Sequence, residues 1–346
     1  MFEEKETEEK FKLDTLIKKS RVHLYKPIQI AEILYRDRIF QDIDLSNLES
    51  YRTKSKKWRD IVSKKLVGRT STSSAKFQDN LFDENALTPN IIFKLGDTNR
   101  KENGSVEKYI YSKFEDRFSQ LAASIAYCKD NGIDKFKLDE FLALFWNDPG
   151  LKRSIDKIYE IVVYAIFSAL VELLDVTIKI NVNKNNLDIL DEFEDFTEKI
   201  LNLNKNNLSS NIPAKIFRAG VTNAADRGLD MWASFGLAIQ IKHLSLSEEL
   251  AQGVVDQISA DRIVIVCKDV EAKTILSLLN QIGWKSKIQS IVTWTDLEKW
   301  WEKALRGKYS GLVGNKVLNN LRNSVNDEFP SINNELKYFL KERNYI

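Results

Sequence analysis

The run Asp226-Arg-Gly-Leu-Asp230-Met-Trp-Ala-Ser-Phe-Gly-Leu-Ala-Ile-Gln240-Ile-Lys242 decides how the chain is read. Residues 237–244 alternate with the period of a strand, so Ile239, Ile241 and His243 share one face and Gln240, Lys242 and Leu244 the other. The loop before this strand sets its register against Met231-Trp-Ala233. A two-residue turn at Phe235-Gly236 would put Asp230 opposite Ile241, on the wrong face. A three-residue loop, Ser234-Phe-Gly236, pairs Ala233 with Leu237 and Asp230 with Gln240. Such loops need a left-handed residue in third place, where Gly236 stands. An acid, a hairpin and then Gln-x-Lys on the next strand is what metal-dependent phosphodiester hydrolysis requires. Asp230 offers oxygen to a hard divalent cation. Lys242 can orient a water beside the phosphate and offset the charge that develops there.

The pattern acid-x9-(Glu/Gln)-x-Lys also occurs at Asp261, Glu271 and Lys273. There the Glu and Lys open a helix, where residues two apart diverge by about 200°, and an acid is explained by the helix dipole. For the first match the competing explanation is a turn acid and a strand lysine reaching water. A second acid is expected from the helix before the strands. Glu160 and Glu172 bracket its uncharged run, residues 161–171, and an ionised carboxylate in an otherwise apolar helix needs a partner such as a metal. A helix-end acid reaching solvent is the alternative, and it suits Glu172 better. His243 falls on the apolar face, where a core or interface histidine is expected, and no Ser/His/Asp or Cys/His set can be argued from the two histidines.

Outward from the hairpin, strands are expected at residues 176–182, 214–221, 228–233, 237–244, 262–267 and 288–294. Helices are expected at 152–174, 187–203, 247–258, 271–281 and 296–305. The order predicts an α/β fold, a mixed sheet flanked by helices. Before residue 150 only helical spacing appears. Residues 1–12 are expected to fray, 13–40 to be helical with Pro27 restarting the helix in its first turn, and 109–129 and 138–146 to be helices. The turn Asn147-Asp-Pro-Gly150 separates a mainly helical region, 1–150, expected to recognise DNA, from a catalytic domain, 151–346.

Of the 346 residues 43% are hydrophobic and 29% charged, the balance of a water-soluble globular chain. The run 161–171 is about half of the roughly 20 residues a membrane span needs. The N-terminus shows no secretory signal. Cys128, Cys267, His23 and His243 are too few for a structural zinc site or a disulfide framework, and a reducing cytoplasm is the expected setting. With a net charge of +2, affinity for nucleic acid must come from local clustering. Residues 52–76 hold nine basic residues against the single acid Asp60. Lys54, Lys56, Lys57, Arg59 and Arg69, followed by the hydroxyls of Ser71, Ser73 and Ser74, are suited to phosphate contacts. A solvated basic helix and loop is the plainer explanation.

At these residues the chain resembles the HaeII family of type II restriction endonucleases. The resemblance is carried by Ser20-Arg-Val-His-Leu-Tyr-Lys-Pro-Ile-Gln-Ile-Ala-Glu-Ile-Leu-Tyr-Arg-Asp-Arg38, Lys54-Ser-Lys-Lys-Trp-Arg-Asp60, Gly68-Arg-Thr-Ser-Thr-Ser-Ser74 and Arg218-Ala-Gly-Val-Thr-Asn-Ala-Ala-Asp-Arg-Gly-Leu-Asp-Met-Trp232. It implies a cytoplasmic, Mg2+-dependent endonuclease, with Mn2+ able to substitute, that cuts both strands of double-stranded DNA at a short palindrome. The family's namesake reads purine-GCGC-pyrimidine. It further implies a PD-(D/E)XK core, a homodimer and a companion DNA methyltransferase. The Gly-x-Asp and Gln-x-Lys elements are similar to the Mrr-like branch of that superfamily, where an aromatic-Glu pair opens the preceding helix. Tyr159-Glu160 matches it, which favours Glu160 over Glu172 and gives Asp230, Glu160 and the Ile241 carbonyl as metal ligands. Gln240 departs from the usual Glu; its neutral amide argues against tight binding of two metals. The alternatives are a Mrr-like or repair nuclease and a catalytically degenerate DNA-binding protein.

Overall fold

The computed structural model describes residues 2–71, 78, 80–84, 86–148, 150–219, 229–242, 262–269, 272, 277, 288–329 and 335–346. In chain order its helices are α1 (Glu8–Lys19), α2 (Tyr25–Phe40), α3 (Lys54–Val67), α4 (Pro89–Lys101), α5 (Ser105–Asp130), α6 (Leu138–Trp146), α7 (Ile155–Leu173), α8 (Leu187–Glu192), α9 (Glu194–Leu201), α10 (Trp294–Arg306), α11 (Ser310–Glu328) and α12 (Glu335–Glu342). The strands are β1 (Thr177–Asn181), β2 (Ser209–Pro213), β3 (Ile216–Arg218), β4 (Met231–Ala233), β5 (Leu237–Lys242), β6 (Arg262–Cys267) and β7 (Ile288–Thr293). Two compact units form. One holds the chain up to Ile161 with Leu321–Ile346, the other Val162–Ala219 and the described residues from 229 to Asn320.

The first unit is helical and is built around α2. Pro27 sits in the first turn of α2, where its missing N–H costs nothing. Pro27 to Leu34 and Asp37 are all buried, so the polar members of this helix need partners inside the unit. Gln29 donates to Ser55 Oγ (2.9 Å). Glu32 accepts from Tyr111 Oη (2.7 Å) and Arg343 (3.1 Å). Next to α2, the fully buried Glu107 accepts two hydrogen bonds from Arg38, both 2.9 Å, and others from Asn99 and Tyr345. The C-terminal residues Arg343 and Tyr345 thus belong to the helical core. The expected fraying before residue 12 is corrected: Thr7 caps α1 by accepting from Lys10 N (3.4 Å), Glu8 and Glu9 favour its first turn, and Phe2 packs edge-on against Tyr109. The turn at 147–150 is present, with Asp148 Oδ1 accepting from the backbone N–H of Gly150 (2.7 Å). The two units nevertheless divide within α7.

Among the described residues the second unit is mixed α/β, with a five-stranded sheet in the order β3-β4-β5-β6-β7. The pairs β3/β4 and β4/β5 are antiparallel, and β5/β6 and β6/β7 parallel. Ala238, Ile263, Ile265 and Cys267 form a buried cluster on one face, joined by Leu229, Ile288 and Ile291. Strand 176–182 is real but does not join this sheet. As β1 it pairs with β2, drawn from a stretch whose polar Ser-Ser-Asn sequence reads as linker. The single helix expected at 187–203 is two, broken at Phe193. The helices expected at 247–258 and, apart from Ala272 and Ser277, at 271–281 lie outside the described residues, as does His243. Among the described residues no helix is long and apolar enough to cross a membrane.

Candidate active site

The β4–β5 hairpin has the register that a three-residue loop demands. Ala233 pairs with Leu237, Trp232 with Ala238 and Met231 with Ile239. Gly236 takes φ +81° and donates its N–H to the Ala233 carbonyl (3.0 Å). A Cβ there would meet no atom, so conformation and not space selects glycine. The loop is anchored on both sides. Ser234 N donates to the Lys215 carbonyl and Lys215 N to Ser234 Oγ, both 2.9 Å, and Arg262 reaches the Phe235 carbonyl (2.5 Å). Across β3 and β4, Phe217 stacks on its register partner Trp232 with centroids 4.3 Å apart.

Asp230 lies just beyond the start of β4, opposite Gln240. Its carbonyl accepts from Ala219 N (2.9 Å), carrying the β3–β4 ladder one step further. Its carboxylate crosses to β5, where Oδ2 accepts from Ile241 N (2.7 Å) and Gln240 Nε2 (2.6 Å). The acid thereby satisfies a backbone N–H for which β4 supplies no further acceptor. In a strand, a residue's N–H and C=O point to the same edge, so the Ile241 carbonyl faces the Asp230 side as well. Gln240 is 1% exposed, and its Oε1 has no hydrogen-bond partner. A buried amide oxygen left unpaired costs about 1–3 kcal/mol.

The remaining expected residues are described in their own surroundings. Lys242 is the last residue of β5, in register with Cys267; its side chain lies outside the described residues. Glu160 belongs to the first unit and is buried, both carboxylate oxygens accepting from Lys157 Nζ at 2.9 and 2.7 Å. Glu172 is exposed on the second unit and pairs with Lys316 (2.6 Å). Among the described residues no cluster of three or more His, Cys, Asp and Glu side chains is assembled for a metal. Asp230, Gln240 and Ile241 are brought together by the hairpin.

The basic segment sorts itself by helix face. Ser55, Arg59, Val62, Ser63, Leu66 and Val67 are the buried side of α3. Arg59, 1% exposed, donates to Asp60 Oδ1 (2.6 and 2.8 Å) and Gln29 Oε1 (3.1 Å). It is a structural residue and the expectation of a phosphate contact is corrected, because the side chain is buried and bonded within its own unit. Lys54, Lys57 and Lys64 are exposed along one stripe with Ile61, while Lys56 is half-buried. Lys64, three residues past Ile61, joins Lys57 on this stripe by its helical spacing. Arg69 donates to the Asp327 carbonyl. Ser71 is the last residue described before Ser73 and Ser74, which lie outside the described residues. Behind this helix His23 is buried and stacked on Tyr25 at 5.4 Å. Burial first, then the charges of Arg69 and Arg21, lower its pKa to about 4.

Sequence comparison places this geometry in context. The profile of the HaeII restriction endonuclease family matches residues 9–345. The chain is 60% identical over 334 residues to the type II restriction enzyme HaeII of Haemophilus aegyptius, covering 96% of this chain and 95% of that one. It is 57% identical over 342 residues to the type II restriction enzyme NgoBI of Neisseria gonorrhoeae, covering 98% and 97%. No solved structure matches the sequence.

Proposed function

Because the chain belongs to the HaeII restriction endonuclease family, we propose that it is a type II restriction endonuclease whose catalytic centre is the β4–β5 hairpin. It is an enzyme, a site-specific deoxyribonuclease, and the two alternatives weighed from sequence lose their ground against relatives that match nearly end to end. The observation that carries the placement of the centre is the Asp230 carboxylate held against Gln240 and Ile241.

Asp230, the Oε1 of Gln240 and the Ile241 carbonyl are the groups suited to hold Mg2+, or Mn2+ in its place. Bound there, the ion would polarise the scissile phosphate and lower the pKa of a water ligand. Asp230 supplies the fixed negative charge, already oriented by the Ile241 N–H. Gln240 adds an oxygen without a second charge, which suits one ion better than two. Lys242, two residues along the same strand, is assigned to orient the attacking water and to offset charge on the phosphate. Hydrolysis adds water across one P–O ester bond, leaving a phosphate monoester and a hydroxyl. The strand arrangement around the hairpin is compatible with a PD-(D/E)XK core.

The exposed stripe Lys54, Lys57 and Lys64 is suited to the DNA backbone. A palindrome presents two equivalent scissile phosphates and one chain carries one Asp230, so a two-fold homodimer with one centre per strand is the simplest match. A cytoplasmic location and a companion methyltransferase follow from the need to reach foreign DNA and to protect the host's own sites. Digestion of a sequenced plasmid with Mg2+, followed by mapping of the ends, tests the function. Breaks at one recurring palindrome are expected, with purine-GCGC-pyrimidine the first sequence to inspect. Random ends, or cutting that survives exhaustive chelation, would contradict it.

A further inference from the structure

Beside Asp230 the sheet carries two aromatic rings that take no part in holding a metal. Successive strand residues point to opposite faces, so Trp232 shares a face with Asp230. Its register partner on β3, Phe217, lies on that face too. The opposite face of these strands is closed, with Ile216, Met231 and Ala233 all buried. On the Asp230 face the cover is uneven. At β5 and β6 it is complete, where Ala238 and Ile263 belong to the buried cluster. At β3 and β4 it is partial, and Phe217 is 36% and Trp232 43% exposed. The two rings stack, with 4.3 Å between centroids and 21° between planes. Steadying the two strands accounts for their contact with each other, but not for the surface they leave open.

Lys215 extends the same face. It precedes Phe217 by two residues and is exposed, and its backbone is tied to Ser234 by the pair of 2.9 Å hydrogen bonds that anchor the loop. Residues 214–219 and 229–237 hold Lys215 and Arg218 against the single acid Asp230, a balance that admits phosphates. The face thus runs from a cation, across two open rings, to the carboxylate assigned to the metal. Trp232 stands about 7 Å along the strand from Asp230. Base pairs rise by about 3.4 Å, so the rings lie one or two nucleotides from a phosphate held at Asp230. We propose that Phe217 and Trp232 form an apolar contact surface for the substrate DNA. They pack against the sugar or base of a nucleotide beside the scissile phosphate, and Lys215 meets a phosphate beyond it. The inference rests on the reading of the β4–β5 hairpin as the catalytic centre and names the residues that hold the substrate against it. Apolar side chains engage DNA in this way at base steps, and aromatic rings flanked by cations hold nucleic-acid strands.

Two measurements on the full chain test this, both with a cognate duplex in Ca2+ so that binding is read without cleavage. In hydroxyl-radical footprinting of the wild type, read by mass spectrometry, oxidation of Trp232 should fall severalfold when the duplex saturates the protein. Unchanged oxidation overturns the contact. Trp232→Thr keeps a residue that favours strands and should weaken duplex binding by about ten- to hundredfold, with the slope of log affinity against log salt unchanged. Lys215→Gln should instead lower that slope by about 0.9. A Trp232→Thr variant that binds as tightly as the wild type overturns the role of the ring, and an unchanged slope in Lys215→Gln overturns that of the lysine. If Trp232→Thr fails to fold, the wild-type footprint still decides. Protection of Trp232 in a protein whose Asp230→Asn variant still cuts would keep the contact and remove the catalytic centre. Loss of cutting in Asp230→Asn without protection of Trp232 would keep the centre and overturn the contact.

Discussion

Replacing Gln240 by Glu is expected from the structure to destabilise the metal-free protein. Gln240 Nε2 lies 2.6 Å from Asp230 Oδ2. A Glu in its place sets two carboxylates face to face and removes a charge-assisted hydrogen bond. At a separation of about 4 Å and an effective dielectric near 20, two unit charges repel by about 4 kcal/mol. For a unit of this size that lowers the melting midpoint by roughly 10 °C. A divalent cation between the two acids should reverse the effect, and a hundredfold excess over its dissociation constant returns about 2.7 kcal/mol. The assay is thermal denaturation of wild type and Gln240→Glu at pH 8, in EDTA and in Ca2+, which fills the site without needing turnover. Wild type should respond weakly to the cation and Gln240→Glu strongly. Equal midpoints in EDTA would refute the juxtaposition, and a cation response in wild type that Gln240→Glu lacks would refute Gln240 as a ligand.

Lys242→Ala should abolish cleavage while leaving specific binding within a few-fold, as read by gel shift in Ca2+ beside cleavage in Mg2+; full activity would remove Lys242 from the centre, and loss of cutting in Glu271→Ala would redirect attention to the pattern at Asp261. Neutralising Lys54, Lys57 and Lys64 to Gln should reduce the slope of log affinity against log salt by about 0.9 for each phosphate that is no longer neutralised. Arg59→Leu should instead lower the melting midpoint without that change in slope, and the reverse outcome would exchange their roles. His23 has its pKa lowered from 6.5 to about 4, so the folded state binds fewer protons than the unfolded state. The resulting stability is complete above about pH 6.5 and is lost as pH falls toward 4, in total on the order of 3 kcal/mol. His23→Gln should flatten that part of a denaturation profile, and an unchanged profile would place His23 in water.

The hairpin was legible because its signals are local. Alternation locates β5, and Gly236 selects the one loop that sets Asp230 opposite Gln240. The apolar strand Arg262–Cys267 was legible for the same reason, since a strand covered on both faces reads as a continuous apolar run. Arg59 was misread because a count of charges ignores direction. Its spacing from Ser55, Val62 and Leu66 places it on the buried side of α3. The partner of β1 could not be foreseen, because Ser209–Pro213 carries no alternation and its pairing is settled by the chain returning from α9. The network of Glu32, Glu107, Arg343 and Tyr345 was hidden because its members are far apart in sequence, and only the packed helices bring them together.

The centre itself is tested most directly by Asp230→Asn in single-turnover cleavage of a cognate duplex, with duplex affinity measured alongside in Ca2+. The substitution keeps the shape of the side chain, and its amide oxygen can still accept from the Ile241 N–H, so the hairpin should fold as before. Cleavage should fall by about a thousandfold or more, the scale of removing a preorganised charge from such a site, with affinity for the duplex within a few-fold of wild type. A cleavage rate within tenfold of wild type would place the active site elsewhere in the chain.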